Sequence, residues 1–198
     1  MRKVAVTGGL SSGKSTVCQF FKELGAWIIS ADDIVQRLLS PNSPIEKTVI
    51  DRFGKEIVEK GRISKQKLSS LVFADPNRLR TLEKILHPLV FDEIQKSIEK
   101  AEQEHVSVCV VEIPLLYETK KEGAFDLVIS VYTEESFAKA RFLKKTSLED
   151  GEFDKRMKRQ IPIEEKKKAA NITICNNGTI KELREQVENI YSKLLTSI

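Results

Sequence analysis

Cysteine, aromatic residues and long apolar runs are scarce here, or badly placed for the functions they usually mark. The three cysteines, Cys18, Cys109 and Cys175, stand far apart with no C-x-x-C pair. That pattern suggests neither a zinc site nor a disulfide framework; each lies in an apolar stretch and reads as a small buried hydrophobe of a reducing compartment. No apolar run approaches the length needed to cross a membrane, and the N-terminus runs straight into an apolar strand, leaving no room for a signal peptide. A soluble cytoplasmic protein without a membrane partner is expected. No repeat or low-complexity segment is visible, and the N-K-x-D tetrapeptide that reads guanine does not occur. What is present is 40% apolar residues in a chain of 198, enough for a sizeable core in one domain with insertions.

The formal net charge is only +4, but it is unevenly placed. Eleven Lys and Arg face six acids between Lys139 and Lys168, so the rest of the chain is close to neutral. A basic segment on a balanced protein suggests a polyanionic ligand, nucleotide phosphates or nucleic acid. Only Phe142 and Phe153 interleave it, which supports stacking on single-stranded nucleic acid poorly.

The chain is organised around its first 24 residues. An apolar run, Lys3 to Thr7, leads into Gly8-Gly9-Leu10-Ser11-Ser12-Gly13-Lys14-Ser15-Thr16, which is G-x-x-x-x-G-K-S. Gly8 and Gly13 allow the tight turn that lets backbone N–H groups surround a phosphate; Lys14 reaches the β/γ-phosphates and the Ser15 hydroxyl ligates Mg²⁺. Val17, Phe20, Phe21 and Leu24 then recur at helical spacing, ending at Gly25. Strand, loop and helix stand in the order a phosphate site needs, with a helix N-terminus adding its partial positive charge. Gly8, Gly9, Ser11, Ser12, Gly13, Lys14, Ser15 and Thr16 are therefore the candidate ATP site, and Ser15 the candidate metal ligand.

A second apolar run, Ala26 to Ile29, precedes Ser30-Ala31-Asp32-Asp33 and a helical pattern in Ile34, Val35, Leu38 and Leu39. Carboxylates at a strand-to-helix junction lie on the edge of an open α/β sheet where ligands bind. Asp32 is the candidate base, with helix capping by Asp32 or Ser30 as the alternative. From Ser40 to Glu104 no convincing strand is seen. Asp75-Pro76 opens a helix with Leu79, Leu82 and Leu86 inward, which is expected to stop before Pro88 and hand over to a second helix carrying Phe91, Ile94, Ile98 and Ala101. This stretch reads as a helical insertion that builds an acceptor site.

Val106 to Val111 predicts a central buried strand, ended by Glu112 where a Mg²⁺-associated carboxylate often stands. The apolar turn Ile113 to Glu118 could lie under an acceptor or be a packed loop. Asp126–Val131 and Asn171–Cys175 predict two further strands. Between them two charged helices, broken over Thr146 to Gly151, the second with Phe153, Met157 and Ile161 as its apolar stripe, predict a cover that excludes water and brings Arg to the phosphoryl group. Thr179 and Glu182 form a capping box opening the last helix.

These residues together resemble the dephospho-CoA kinase family of P-loop, nucleotide-kinase-like enzymes. The likeness runs along almost the whole chain: the loop, Ala31-Asp32, Leu86-His87-Pro88, Pro114-Leu115-Leu116-Tyr117-Glu118, Arg141, Arg156 to Gln160 and Asn176-Asn177-Gly178. The resemblance implies an α/β fold with a five-stranded parallel sheet in order 2-3-1-4-5. It implies a core of 1–39, 105–140 and 170–198, an acceptor-binding insertion of 40–104 and a lid of 141–169. The implied reaction moves the γ-phosphate of ATP, with Mg²⁺, to the ribose 3′-hydroxyl of dephospho-CoA, giving CoA and ADP. Asp32 would take the hydroxyl proton, Lys14 and Arg141 would stabilise charge, His87, Leu115, Leu116 and Glu118 would line the acceptor site, and Asn176 would lie near the adenine. A nucleoside or nucleoside-monophosphate kinase would share the loop and differ in acceptor. The chain departs from the family pattern at Ser30, where an acid is common, at Ser11, where glycine is, and at Lys145, where an arginine is expected.

Overall fold

The computed structural model describes residues 1–146 and 150–196. β1 (Arg2–Gly8), α1 (Lys14–Glu23) and β2 (Trp27–Ser30) come first, followed by α2 (Ala31–Leu38) and α3 (Glu46–Phe53). A hairpin of β3 (Val58–Glu59) and β4 (Arg62–Ile63), then α4 (Lys65–Ala74) and α5 (Pro76–Gln103), lead to β5 (Val108–Glu112) and β6 (Leu127–Tyr132). α6 (Glu135–Lys145), α7 (Asp150–Met157), α8 (Ile163–Ala169), β7 (Ile172–Cys175) and α9 (Ile180–Thr196) complete it. The residues fall into two compact units, 1–30 with 98–198, and 31–97. The second unit takes in α2, which the sequence reading left with the core, and it yields the end of α5 to the first.

In the first unit the five strands run parallel in the order β2-β5-β1-β6-β7. With the hairpin strands set aside, this is the expected 2-3-1-4-5. β1 and β5 are central and apolar because both of their faces are covered: Val4, Ala5, Val6 and Val108 to Val111 have no exposed surface. Val4 and Val6 share a core with Val17 and Phe21 of α1, Ile129, Ile174, and Leu183 and Val187 of α9. Burial pushes the Cys109 thiol up to about 12, and burial followed by the Glu112 charge pushes Cys18 well above its ordinary value. Both behave as hydrophobes. The Thr179–Glu182 box closes as expected: Glu182 N donates to Thr179 Oγ1 at 3.2 Å and Thr179 N to Glu182 Oε2 at 2.7 Å. Among the described residues no helix is long and apolar enough to cross a membrane.

The second unit buries Leu39, Val49, Phe53, Ile57, Leu68, Val72, Leu82 and Leu86 together. Two expectations fail within it. The β3–β4 hairpin is a small antiparallel pair in a stretch read as wholly helical. Its turn, Lys60-Gly61, has both residues at positive φ, the geometry that suits the twist of a two-residue hairpin, but Lys-Gly is a weak signal for it. Also, α5 does not stop before Pro88; the proline lies inside one 28-residue helix. An internal proline costs about 3 kcal/mol. The buried stripe Leu82, Leu86, Val90, Ile94 keeps its four-residue step across it, and each such side chain contributes about 1.5–3 kcal/mol. Val90 and Ile94 beyond the proline therefore offset the lost hydrogen bond. Asp75 caps this helix as expected, its Oδ1 accepting from Asn77 N at 2.8 Å.

The basic segment also differs from expectation, its described residues forming three helices where two were predicted. α7 ends at Met157, so Ile161 lies beyond it, and α8 starts afresh at Ile163 directly after Pro162. Of the predicted break, 147–149 lie outside the described residues, while Gly151 belongs to α7. Phe142 and Phe153 pack edge to face with centroids 5.6 Å apart and are both buried, so they form the joint between α6 and α7.

Candidate active site

The loop between β1 and α1 has the geometry the motif requires. Gly8, at the end of β1, runs so close to β6 that a Cβ would collide with the Val131 carbonyl. Gly13 has φ +95° and flanks α1, whose first turn closes through Thr16 N and Val17 N donating to Gly13 O, both at 3.1 Å. Ser11 adopts φ +53°, a left-handed conformation that glycine would take without strain. Lys14 is 8% exposed and folds back on its own loop, Nζ donating to Gly9 O at 2.7 Å and Gly8 O at 3.4 Å. Ser12 is buried, its Oγ without a hydrogen-bond partner among the described residues. Ser15 Oγ donates to Glu112 Oε1 at 2.9 Å, so the loop serine and the carboxylate ending β5 meet across the C-terminal edge of the sheet.

Around this edge the structure collects further expected residues. Asn176, ending the chain's last strand, is 8% exposed; its Nδ2 donates to Ser12 O at 2.8 Å, and its carbonyl accepts from Arg141 Nη2 at 3.0 Å. The other terminal nitrogen, Arg141 Nη1, is buried with no hydrogen-bond partner among the described residues. In the turn after β5, Leu116 is wholly buried while Leu115 is partly exposed. Burial lifts the Tyr117 phenol above its ordinary value, with the Glu122 charge adding to it. Glu118 Oε1 accepts from Ile161 N at 2.9 Å and pairs with Lys166 Nζ at 2.8 Å. Lys166 has no exposed surface and also donates to Pro114 O at 3.1 Å. This lysine was not singled out in the sequence, where it is one of three in a row. Its step of three from Ile163, whose Cδ1 lies 3.8 Å from the Cβ that Gly9 lacks, was the available signal.

Asp32 and His87 belong to the second unit. Asp32 is exposed in the first turn of α2, where a carboxylate suits the helix dipole; as the second residue of the helix it is not the capping residue. His87 is half-buried within α5, directly before Pro88.

A sequence model of the family described as "CoaE: Dephospho-CoA kinase" matches residues 2–182. The dephospho-CoA kinase of Protochlamydia amoebophila is 41% identical over 196 residues, covering 98% of this chain and 97% of that protein. Among solved structures, TT1252 from Thermus thermophilus aligns with a TM-score of 0.81 at 28% identity, covering 98% and 97% of the two chains. The dephospho-CoA kinase from Campylobacter jejuni aligns with a TM-score of 0.73 at 27% identity, covering 98% of each.

Proposed function

The chain belongs to the dephospho-CoA kinase family, and from that premise we propose that it phosphorylates the ribose 3′-hydroxyl of dephospho-CoA with ATP, giving CoA and ADP. The observation that carries this reading is the extent of the family match, 2–182, which takes in both the phosphate loop and the whole of the unit 31–97. A cytoplasmic location, where ATP is supplied, goes with it.

Ser15 Oγ and the Glu112 carboxylate suit Mg²⁺, a hard cation that takes oxygen ligands and is usually held by one or two protein groups plus phosphates and water. Held by Ser15 and Glu112, Mg²⁺ would supply positive charge against what develops on the phosphates during transfer. The loop N–H groups and Lys14 would hold the β- and γ-phosphates, Lys14 exchanging the Gly9 carbonyl for phosphate oxygen. Arg141, with one terminal nitrogen anchored on Asn176 O, would direct its other nitrogen at the transferring group.

Asp32 would act as the base. Ser30, the last residue of β2, is in register with Glu112, and Asp32 follows two residues later; two Cα–Cα steps span at most about 7.6 Å. In the transfer the 3′-hydroxyl proton passes to the Asp32 carboxylate as the ribose oxygen bonds to the γ-phosphorus, and the bond to the β–γ bridging oxygen breaks to release ADP. His87, Leu115 and Glu118 are proposed to line the acceptor; Leu116, having no exposed surface, would support that wall from behind. Residues 141–169 are proposed as the cover, their C-terminal end held by the Lys166–Glu118 pair.

The test is ADP release from ATP and Mg²⁺ with dephospho-CoA, AMP, adenosine or no acceptor. Release that requires dephospho-CoA and yields CoA is expected. Release with AMP or adenosine instead would keep the phosphate loop and overturn the acceptor.

A further inference from the structure

Family resemblance would set Asn176 against adenine, yet its contacts run inward to the phosphate loop. Asn176 N donates to Tyr132 O at 2.8 Å, and its carbonyl accepts from Thr133 Oγ1 and Arg141 Nη2, each at 3.0 Å. The next residue adds a tie from Glu134 N to Asn177 Oδ1 at 2.8 Å, and the same Oδ1, 2.9 Å from Thr133 Oγ1, shares that hydroxyl's single hydrogen with the Asn176 carbonyl. The backbone at 176 is thus fixed to the end of β6 and the start of α6. From that fixed point the side chain makes a buried hydrogen bond to a residue 164 positions earlier, Nδ2 to Ser12 O at 2.8 Å. Ser12 O can only accept, so the group facing it must be the NH₂.

We propose that Asn176 is a positioning residue for phosphate binding: by pinning the Ser12 carbonyl it sets the Ser12–Gly13 peptide plane and aims the Gly13 N–H into the hollow of the loop. The peptide between them is planar and trans, so its C=O and N–H point in opposite directions, and holding one outward turns the other inward. Gly13 is fitted to this partner. It has φ +95°, and a Cβ there would run into Asn176 Nδ2, so the amide occupies the space that only glycine leaves. The Asn176 carbonyl meanwhile holds Arg141, so one residue orients a phosphate-facing amide and a guanidinium together. The proposal rests on the phosphate-loop reading above and adds a role that requires no contact between Asn176 and the base.

Tripolyphosphate, which has no base, separates the two roles. Its affinity, and those of ATP and GTP, are measured by titration calorimetry for the wild type, Asn176→Asp and Asn176→Ala. Aspartate keeps the shape but exchanges the donor for a negative charge, so the loss must also be seen in the neutral alanine variant. Losing this hydrogen bond is expected to weaken tripolyphosphate and ATP alike by about tenfold, with the ATP-to-GTP ratio unchanged. The Gly13 amide resonance, shifted by tripolyphosphate in the wild type, should lose most of that shift. An unchanged tripolyphosphate affinity, or a loss confined to ATP with a collapsed ATP-to-GTP ratio, overturns the proposal in favour of a base contact. A wild type that binds neither ATP nor tripolyphosphate overturns the phosphate-loop reading itself. Should either variant fail to fold by circular dichroism, Asn176→Ser is read by the same criteria.

Discussion

Replacing Lys166 by Met is the sharpest test of how the proposed cover is anchored. Lys166 Nζ is wholly buried between Glu118 Oε1 at 2.8 Å and Pro114 O at 3.1 Å. Removing one member of a buried pair typically costs about 3–5 kcal/mol, because the other charge is left without compensation. Here the remaining carboxylate keeps the Ile161 N–H, which offsets part of the penalty. The lower end, about 3 kcal/mol, is expected, which for a chain of this size lowers the melting temperature by about 6–12 °C. Trp27, the only tryptophan, lies in the same unit and reports its unfolding by fluorescence. Adding Glu118→Gln to Lys166→Met removes the stranded charge while keeping an acceptor for Ile161 N–H, and should recover more than half of the loss. Salt should change little, since a buried pair is poorly screened. A single Lys166→Met variant melting within 2 °C of wild type would refute the reasoning.

Asp32→Asn should bind ATP nearly as well as wild type while turnover falls by a factor on the order of 10²–10⁴; steady-state kinetics showing full activity would end the assignment of Asp32 as base. Ser11→Gly should relieve the left-handed strain at φ +53°, and after glycine's larger entropy loss on folding it should raise stability by about 0.5 kcal/mol, read by urea denaturation; a less stable variant would contradict this. Hydrogen bonds from the Thr179 backbone and then its hydroxyl hold the Glu182 carboxyl below its ordinary value. A carboxyl depressed in the folded state contributes stability above its unfolded pKa and loses it as pH falls through the folded one. The melting-temperature gap between wild type and Glu182→Gln should therefore be widest at neutral pH and close below about pH 4; a gap that widens toward acid would have the sign wrong.

Features set by neighbours in sequence were legible. The phosphate loop, the Asp75-Pro76 helix start and the Thr179–Glu182 box each place their partners within a few residues, so residue type and spacing suffice to read them. The sheet order came from the family resemblance, not from periodicity. Pro88 misled because the local rule disfavouring proline in helices was outweighed by a buried stripe that runs on through Val90 and Ile94, and whose Leu82 and Leu86 pack with residues distant in sequence. Lys166 looked like one of a solvated run, and its burial depends on Glu118, 48 positions earlier. Asn176 could be noticed, but the direction of its side chain follows from Ser12 at the other end of the chain.

That last separation has a consequence for how the protein is made. The phosphate loop leaves the ribosome well ahead of its partners: β1 has no sheet partners until 108–112 and 127–131 follow, and the Ser12 carbonyl has no tether until residue 176. At about 5–20 residues per second, that delay lasts roughly 8–30 s. During synthesis the loop is a strand end and a glycine-rich turn without the groups that shape it, and nascent chains stopped short of Asn176 should be poor at retaining ATP. Competence to bind nucleotide arrives only once residue 176 has emerged, when both units are available to fold around the ligand.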